Sequence, residues 1–270
     1  MSTSFVAAVV QVNGTEDVPR NEKIAIDLVR DAAASGAEFV ALPENYFFIG
    51  SLEEKVRQAQ PLTGPRVQGM AALAKELGIY LLLGSVAERS TEDRRCFNTS
   101  VLLGPDGSLL ASYRKLHLFD IDIPNGAQFQ ESATVVPGDG GICVVPTNLA
   151  TFGLSICYDL RFPEQYRTLV NAGAQCLTVP SAFTQFTGKD HWEVLLRARA
   201  IENTAWVIAP NHWGQHSATR ASYGRSMIID PWGTVVAKCS DAIGYATARV
   251  DLNLMNKVRR ELPCLQHQRL

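Results

Sequence analysis

Apolar runs of strand length recur along the chain, at residues 5–12, 39–42, 79–84, 97–103, 151–156, 175–179, 206–209, 226–229 and 234–237, and they are rich in Val, Ile and Leu. Between several of them lie segments of helical period, at 20–34, 65–77, 164–172 and 191–203. Gly36, Gly78 and Gly173 stand near the ends of three of these, where glycine closes a helix without steric cost. The alternation is a βαβ rhythm. Two further turns, Gly104-Pro105-Asp106-Gly107 and Asp230-Pro231-Trp232-Gly233, sit between strand-like runs and predict hairpins. No fixed-period repeat, low-complexity tract or linker rich in Pro, Gly or Ser interrupts the pattern. It predicts an α/β protein with mixed sheets and helices packed on their outer faces.

Composition narrows the reading. A chain of 270 residues that is 46% hydrophobic can bury one large core, so a single domain over residues 1–270 is expected. Lys and Arg total 25 against 27 Asp and Glu, which leaves no basic footprint for nucleic acid or for an anionic membrane surface. The first apolar run has no basic flank and is too short to span a bilayer. The six cysteines, Cys96, Cys143, Cys157, Cys176, Cys239 and Cys264, show no CxxC spacing. Together these features point to a reducing compartment, the cytoplasm by default.

The sharpest local feature is Ser155-Ile156-Cys157-Tyr158-Asp159-Leu160-Arg161-Phe162-Pro163-Glu164, where a strand runs into a cysteine and a helix begins near Pro163. Such a nucleophile elbow presents a side chain at a strand end, beside backbone N–H groups that can hold a developing oxyanion. Most cysteines in such a chain are buried thiols without chemistry, and the other five are assigned to that class. Cys157 differs because Tyr158 and Asp159 turn polar where a buried strand would continue apolar.

A thiol that attacks an amide needs a proton acceptor, and the nitrogen that leaves needs a donor. Glu44, after the apolar run 39–42, places a carboxylate at a strand end, where open α/β sheets put their sites. Burial there is expected to raise its pKa. Lys115 follows another strand-like run and would set an ammonium near the thiol and its oxyanion. Taken singly, Glu44 is equally a salt-bridged glutamate at a strand end, and Lys115 is more often a surface charge.

In combination, Leu-Pro-Glu-Asn around Glu44, Tyr-Arg-Lys-Leu-His-Leu-Phe-Asp around Lys115 and Ile-Cys-Tyr-Asp-Leu-Arg-Phe-Pro-Glu around Cys157 resemble the nitrilase, or carbon–nitrogen hydrolase, superfamily. The resemblance covers essentially the whole chain, and later segments such as Ala221-Ser222-Tyr223-Gly224 are most similar to its Nit branch. Phe119-Asp120-Ile121-Asp122-Ile123-Pro124 and Phe129-Gln130-Glu131-Ser132 resemble the omega-amidases of that branch. The resemblance implies a four-layer αββα sandwich and a Glu–Lys–Cys triad of Glu44, Lys115 and Cys157. It adds Glu131 as a second glutamate that orders the site, and no cofactor or metal. The oxyanion would rest between Lys115 and the backbone N–H of Tyr158.

The implied substrate is a small amide bearing a carboxylate: deaminated glutathione first, alpha-ketoglutaramate second, a nitrile third. A homodimer or higher homo-oligomer is implied, with the C-terminal tail, about 255–270, as a possible contact. Arg161 is the candidate for gripping the substrate carboxylate, against a salt bridge to Asp159 or Glu164. Phe183, Thr187 and His191 match pocket-side segments of the branch. His212 and His216 have the spacing of two metal ligands on a helix, but Gly214 lies between them and no HExxH glutamate accompanies them; loop or pocket-rim histidines are expected. His117 is expected to pack or hydrogen-bond structurally. A rival of a different class is a catalytically silent scaffold that keeps the fold.

Overall fold

The computed structural model describes residues 3–122 and 128–269. Two mixed sheets lie face to face among them. The first runs in the order Gly244–Asp251, Ser4–Gln11, Phe39–Ala41, Tyr80–Leu82, Cys96–Leu103 and Val86–Arg89, and Leu109–Arg114 also pairs with Cys96–Leu103. The second runs Val235–Lys238, Met227–Ile229, Trp206–Ala209, Cys176–Thr178, Thr151–Leu154 and Cys143–Pro146. In each sheet the central strands are parallel neighbours and the outer ones antiparallel.

Side chains alternate across a strand, and here both alternations are apolar. Phe5, Ala7, Val9, Phe39, Ala41 and Leu82 pack inward against the second sheet. Phe39 stacks on Phe152 across the interface at 4.3 Å between ring centroids, and Phe5 meets Phe152 edge-on at 6.1 Å. The alternate residues Ala8, Val10, Val40, Leu42 and Leu81 pack outward with Ala25, Val29, Met70 and Leu73 of the helices Val18–Ala34 and Pro65–Leu77. The helices Pro163–Asn171 and Gln185–Asn203 cover the outer side of the second sheet. This is the expected four-layer αββα sandwich. Burying both faces explains why the strands read as continuous apolar runs. Each fully buried Val, Ile or Leu contributes about 1.5–3 kcal/mol, so the register is strongly fixed.

The helix Pro65–Leu77 and the strand Trp206–Ala209 have the expected bounds. The helix Gln185–Asn203 begins before the expected residue 191, because the Thr184 side chain caps it by accepting from the Thr187 N–H at 3.4 Å. Of the expected tail, residues 255–261 belong to the helix Leu252–Glu261, whose Met255 packs in the core and whose Val258 is buried. Beyond it, Asn171 Nδ2 lies 3.4 Å from Gln268 Oε1. Leu270, and Ile123 and Pro124 of the Phe119–Pro124 motif, lie outside the described residues. Among the described residues no helix is long and apolar enough to cross a membrane.

Candidate active site

Three chain segments leave strand ends and converge. Glu44 follows Phe39–Ala41, Lys115 follows Leu109–Arg114, and Cys157 follows Thr151–Leu154. The turn at Glu44 is set by its neighbours. Asn45 takes a left-handed conformation, φ 50°, which Asn tolerates better than most residues, and its N–H donates to Ser85 Oγ at 2.9 Å. Gly84, φ +59°, lies so close that a Cβ there would fall 2.1 Å from the Pro43 carbonyl oxygen. His212 is fully buried beneath the turn. It accepts from the Gly14 N–H at Nδ1, which leaves Nε2 to donate to the Glu44 carbonyl oxygen at 2.7 Å. It is therefore a positioning residue and not a rim histidine. Burial, together with the neighbouring His216, lowers its pKa to about 3, so the ring stays neutral. His216 does reach the cleft, held between the Gly14 carbonyl and Ser222 Oγ. Among the described residues no group of three or more His, Cys, Asp or Glu could hold a metal ion.

Cys157 opens the 3-10 turn Cys157–Arg161 with φ 50°, a strained conformation for a residue carrying a Cβ. The elbow expected from sequence is thus present, and it points the thiol into the cleft while Tyr158, next in the turn, has no helical carbonyl ahead of it to accept its N–H. Asp159 ties the elbow to the Lys115 segment. Its fully buried carboxylate accepts from the Ile156 N–H at 2.8 Å, Tyr113 Oη at 2.7 Å and the His117 N–H at 3.1 Å, and it lies 2.8 Å from His117 Nδ1. His117 also stacks on Phe162, which gives it the structural place expected for it.

Lys115, 1% exposed, donates to Glu44 Oε1 at 3.0 Å and Glu131 Oε2 at 2.8 Å. Asn98 Nδ2 bridges the same two carboxylates, at 2.9 Å to Glu44 and 3.1 Å to Glu131. The Ala182 N–H donates to the other Glu44 oxygen at 3.0 Å, and the Phe119 N–H donates to Glu131 at 2.8 Å. Glu44, Lys115, Cys157 and Glu131 are therefore one cluster.

Charge follows from this geometry. Burial alone would push Glu44 up, as the sequence reading expected, but the Lys115 and Lys55 ammonium groups and the hydrogen bonds from Cys157 and Lys115 outweigh it and hold the carboxyl at about 2. Burial would likewise lower Lys115, yet Glu131 and Glu44 raise it well above its ordinary value. Burial and the Glu44 carboxylate push the Cys157 thiol up, against the pull of Lys115. The resting cluster is carboxylate, ammonium and neutral thiol.

The cluster opens into a cleft of about 1610 Å³. Arg161, Tyr158, Phe183 and Thr187 line it. No ion pair joins Arg161 to Asp159 or Glu164 among the described residues; its guanidinium lies 5.3 Å from the Phe183 ring centroid and 3.4 Å, through Nη1, from His191 Nδ1. His191 does not line the cleft. It is exposed, because the buried stripe of its helix runs through Gly188, Trp192 and Leu196, and it touches the site only through Arg161. Asn98, Lys55 and Arg220 were missed from the sequence. Asn98 had a signal, a polar triplet Asn98-Thr99-Ser100 inside an apolar strand, whereas Lys55 and Arg220 read as ordinary surface charges. All six cysteines are free, and of the five set aside Cys143 and Cys264 are half-buried where burial was expected.

Comparison with known proteins places this architecture. Residues 6–260 match the model of the carbon-nitrogen hydrolase family. The deaminated glutathione amidase of Bos taurus is 44% identical over 99% of this chain and 84% of its own length. That of Synechocystis sp. is 41% identical over 98% of both chains. Among solved structures, the C. elegans NitFhit protein superposes with a TM-score of 0.93 at 38% identity, covering 100% of this chain and 66% of its own. A family match over nearly the full length, joined to the shared fold, shows that the chain belongs to the carbon-nitrogen hydrolase family and is an amide-hydrolysing enzyme.

Proposed function

We propose that the chain is a cysteine-dependent amidase with Cys157 as nucleophile and deaminated glutathione as its substrate. The observation that carries the chemistry is the left-handed Cys157, placed in the same open cleft as Glu44 and Lys115, where the Glu44 carboxylate pushes the thiol pKa up and the Lys115 ammonium pulls against it. Because the thiol rests protonated and Glu44 ionised, Glu44 takes the proton as sulfur attacks the amide carbonyl, without a preformed thiolate. The oxyanion settles between the Lys115 ammonium and the Tyr158 N–H. Glu44 then gives its proton to the leaving nitrogen, and a thioester remains on Cys157. Water activated by Glu44 releases the acid. Glu131 and Asn98 fix the orientation of Lys115 and Glu44 throughout. Arg161 holds the substrate carboxylate, with Phe183 and Thr187 as pocket walls. His191 steadies Arg161 from outside the cleft. The free thiols suit a reducing compartment such as the cytoplasm, and a homodimer belongs to the same proposal.

Support for the substrate comes from relatives named deaminated glutathione amidase that align over nearly the whole chain. Deaminated glutathione is the 2-oxo acid form of the tripeptide, so cleavage of its side-chain amide releases 2-oxoglutarate and cysteinylglycine. Initial rates on deaminated glutathione, alpha-ketoglutaramate and a nitrile, with product acid as the readout, test the assignment. The expected order of kcat/KM is the order just given, with no turnover by Cys157→Ala. Preference for alpha-ketoglutaramate or the nitrile would overturn the substrate. Absence of turnover on every amide would favour a silent scaffold.

A further inference from the structure

Arg220 stands in the connection between the short strands Trp213–Gln215 and Ala221–Tyr223, and it lines the cleft that holds Cys157. Its backbone carbonyl is engaged, accepting from the N–H groups of His216 at 2.8 Å and Ser217 at 3.2 Å. Its guanidinium, in contrast, has no hydrogen bond or ion pair to any described residue. It lies over the Phe129 ring at 5.1 Å from the centroid. Burial lowers its pKa from the ordinary value, while Glu44, Glu131 and Cys157 push the other way, so the group lies within electrostatic reach of the triad. By contrast Arg114 pairs with Glu88, and the buried Arg199 donates to the Leu160 carbonyl. A half-buried guanidinium with five donors and no acceptor is suited to an acceptor brought by a ligand.

The cleft wall shows where that acceptor lies relative to Arg161. From Phe129 the wall continues to Phe119, 5.7 Å away between centroids, and then to Tyr158, 5.1 Å further. Arg161 lies over Tyr158 at 5.9 Å. Two guanidinium groups therefore stand over the two end rings of a row of three aromatic rings, and Tyr158 adjoins Cys157 in the same turn. Arg161 shares the turn of the nucleophile, which places it with the acyl group that stays on sulfur. Arg220 comes from a different segment of the chain, against the far ring. The cleft, at about 1610 Å³, is larger than the roughly 300–1,000 Å³ of ordinary small-ligand pockets, so there is room for a leaving group well beyond ammonia.

We propose that Arg220 binds a second carboxylate of the substrate, on the amine side of the scissile bond, so that the enzyme selects amides anionic at both ends. Built on the amidase reading above, this makes Arg220 a specificity-determining residue whose bidentate fork takes the carboxylate of a peptide-like leaving group.

The test uses two ligands, deaminated glutathione and the same molecule with its C-terminal carboxylate converted to a carboxamide. Binding of each to the inactive Cys157→Ala protein is measured by calorimetry, with Arg220 intact, Arg220→Ala and Arg220→Lys. With Arg220 intact, the carboxylate form should bind about 10–100-fold tighter, the range of one charge-assisted hydrogen-bonded pair. Arg220→Ala should collapse that ratio to near one, and Arg220→Lys should retain part of it. Thermal melting of each variant checks that the fold is kept; a variant that melts early is replaced by Arg220→Gln, which should also collapse the ratio. A ratio left intact by Arg220→Ala or Arg220→Gln, or no preference in the Arg220 protein, overturns the role of Arg220 and leaves the substrate standing. Failure of both ligands to bind sinks the substrate itself, and the role of Arg220 with it.

Discussion

Replacing Lys115 by Met removes the cation and keeps the length of the side chain. In the protein this ammonium, 1% exposed, stands 3.0 Å from Glu44 and 2.8 Å from Glu131. Without it, two buried carboxylates share the single Asn98 amide and repel each other. Breaking a buried ion pair by removing one partner costs about 3–5 kcal/mol, a large part of the roughly 5–15 kcal/mol that holds a domain together. Lys115→Met should therefore unfold at clearly lower urea. The double variant Lys115→Met with Glu131→Gln removes one negative charge as well, and should recover much of that loss. Turnover should not recover, because the oxyanion donor is still missing and its absence costs about 10²–10³ in kcat. Urea unfolding and steady-state hydrolysis on the three proteins separate the two effects. A single variant as stable as the parent, or a double variant that regains turnover, would refute the reasoning.

Further outcomes follow from other parts of the site. Since Cys157 is left-handed, Cys157→Gly should be more stable than Cys157→Ala by about 1 kcal/mol in urea unfolding, the reverse of the usual order; the usual order would show that the elbow is not strained. Glu44 is held at about 2, below its ordinary 4.5, so its contribution to stability is complete above pH 4.5 and is lost as pH falls through about 2. By the same shift, kcat/KM should show no acidic limb between pH 5 and 8, and a Glu44-dependent limb in that window would contradict the charge state. Asp159→Asn should cost about 1–3 kcal/mol and lower kcat more than it raises KM, because the elbow loses its tie to the Lys115 segment; an unchanged kcat would count against that tie. Gly84→Ala should lower both Tm and activity by pushing Pro43 and hence Glu44; normal activity would mean the turn yields without cost.

Much of the sandwich was legible because its central strands are buried on both faces. Trp206–Ala209 is apolar throughout and was bounded correctly. The strand Gly244–Asp251 was missed for the opposite reason: at the sheet edge its pattern is half exposed, and its partner Ser4–Gln11 lies at the other end of the chain. Glu44 and Cys157 were legible as candidates because each comes just after an apolar run, 39–42 and 151–156, whereas Lys115 follows the strand Leu109–Arg114, which is half exposed, and stood out only in combination with the other two. Lys55 was not legible, since the helix Leu52–Arg57 reads as a charged surface turn and only its packing turns the ammonium toward Glu44. The same limit explains His191 and the Glu44 pKa. Helical facing and the balance between burial and neighbouring charge are both three-dimensional quantities, set by residues far away in the chain.

The proposal that Cys157 is acylated has one direct test. Rapid acid quench during turnover of deaminated glutathione, followed by peptide mass spectrometry, should find a 2-oxoglutaryl group on the peptide carrying Cys157, absent from the Cys157→Ala protein. An acyl group on any other residue, or full turnover with Cys157 unmodified at every quench time and in the Cys157→Ala protein, would contradict it.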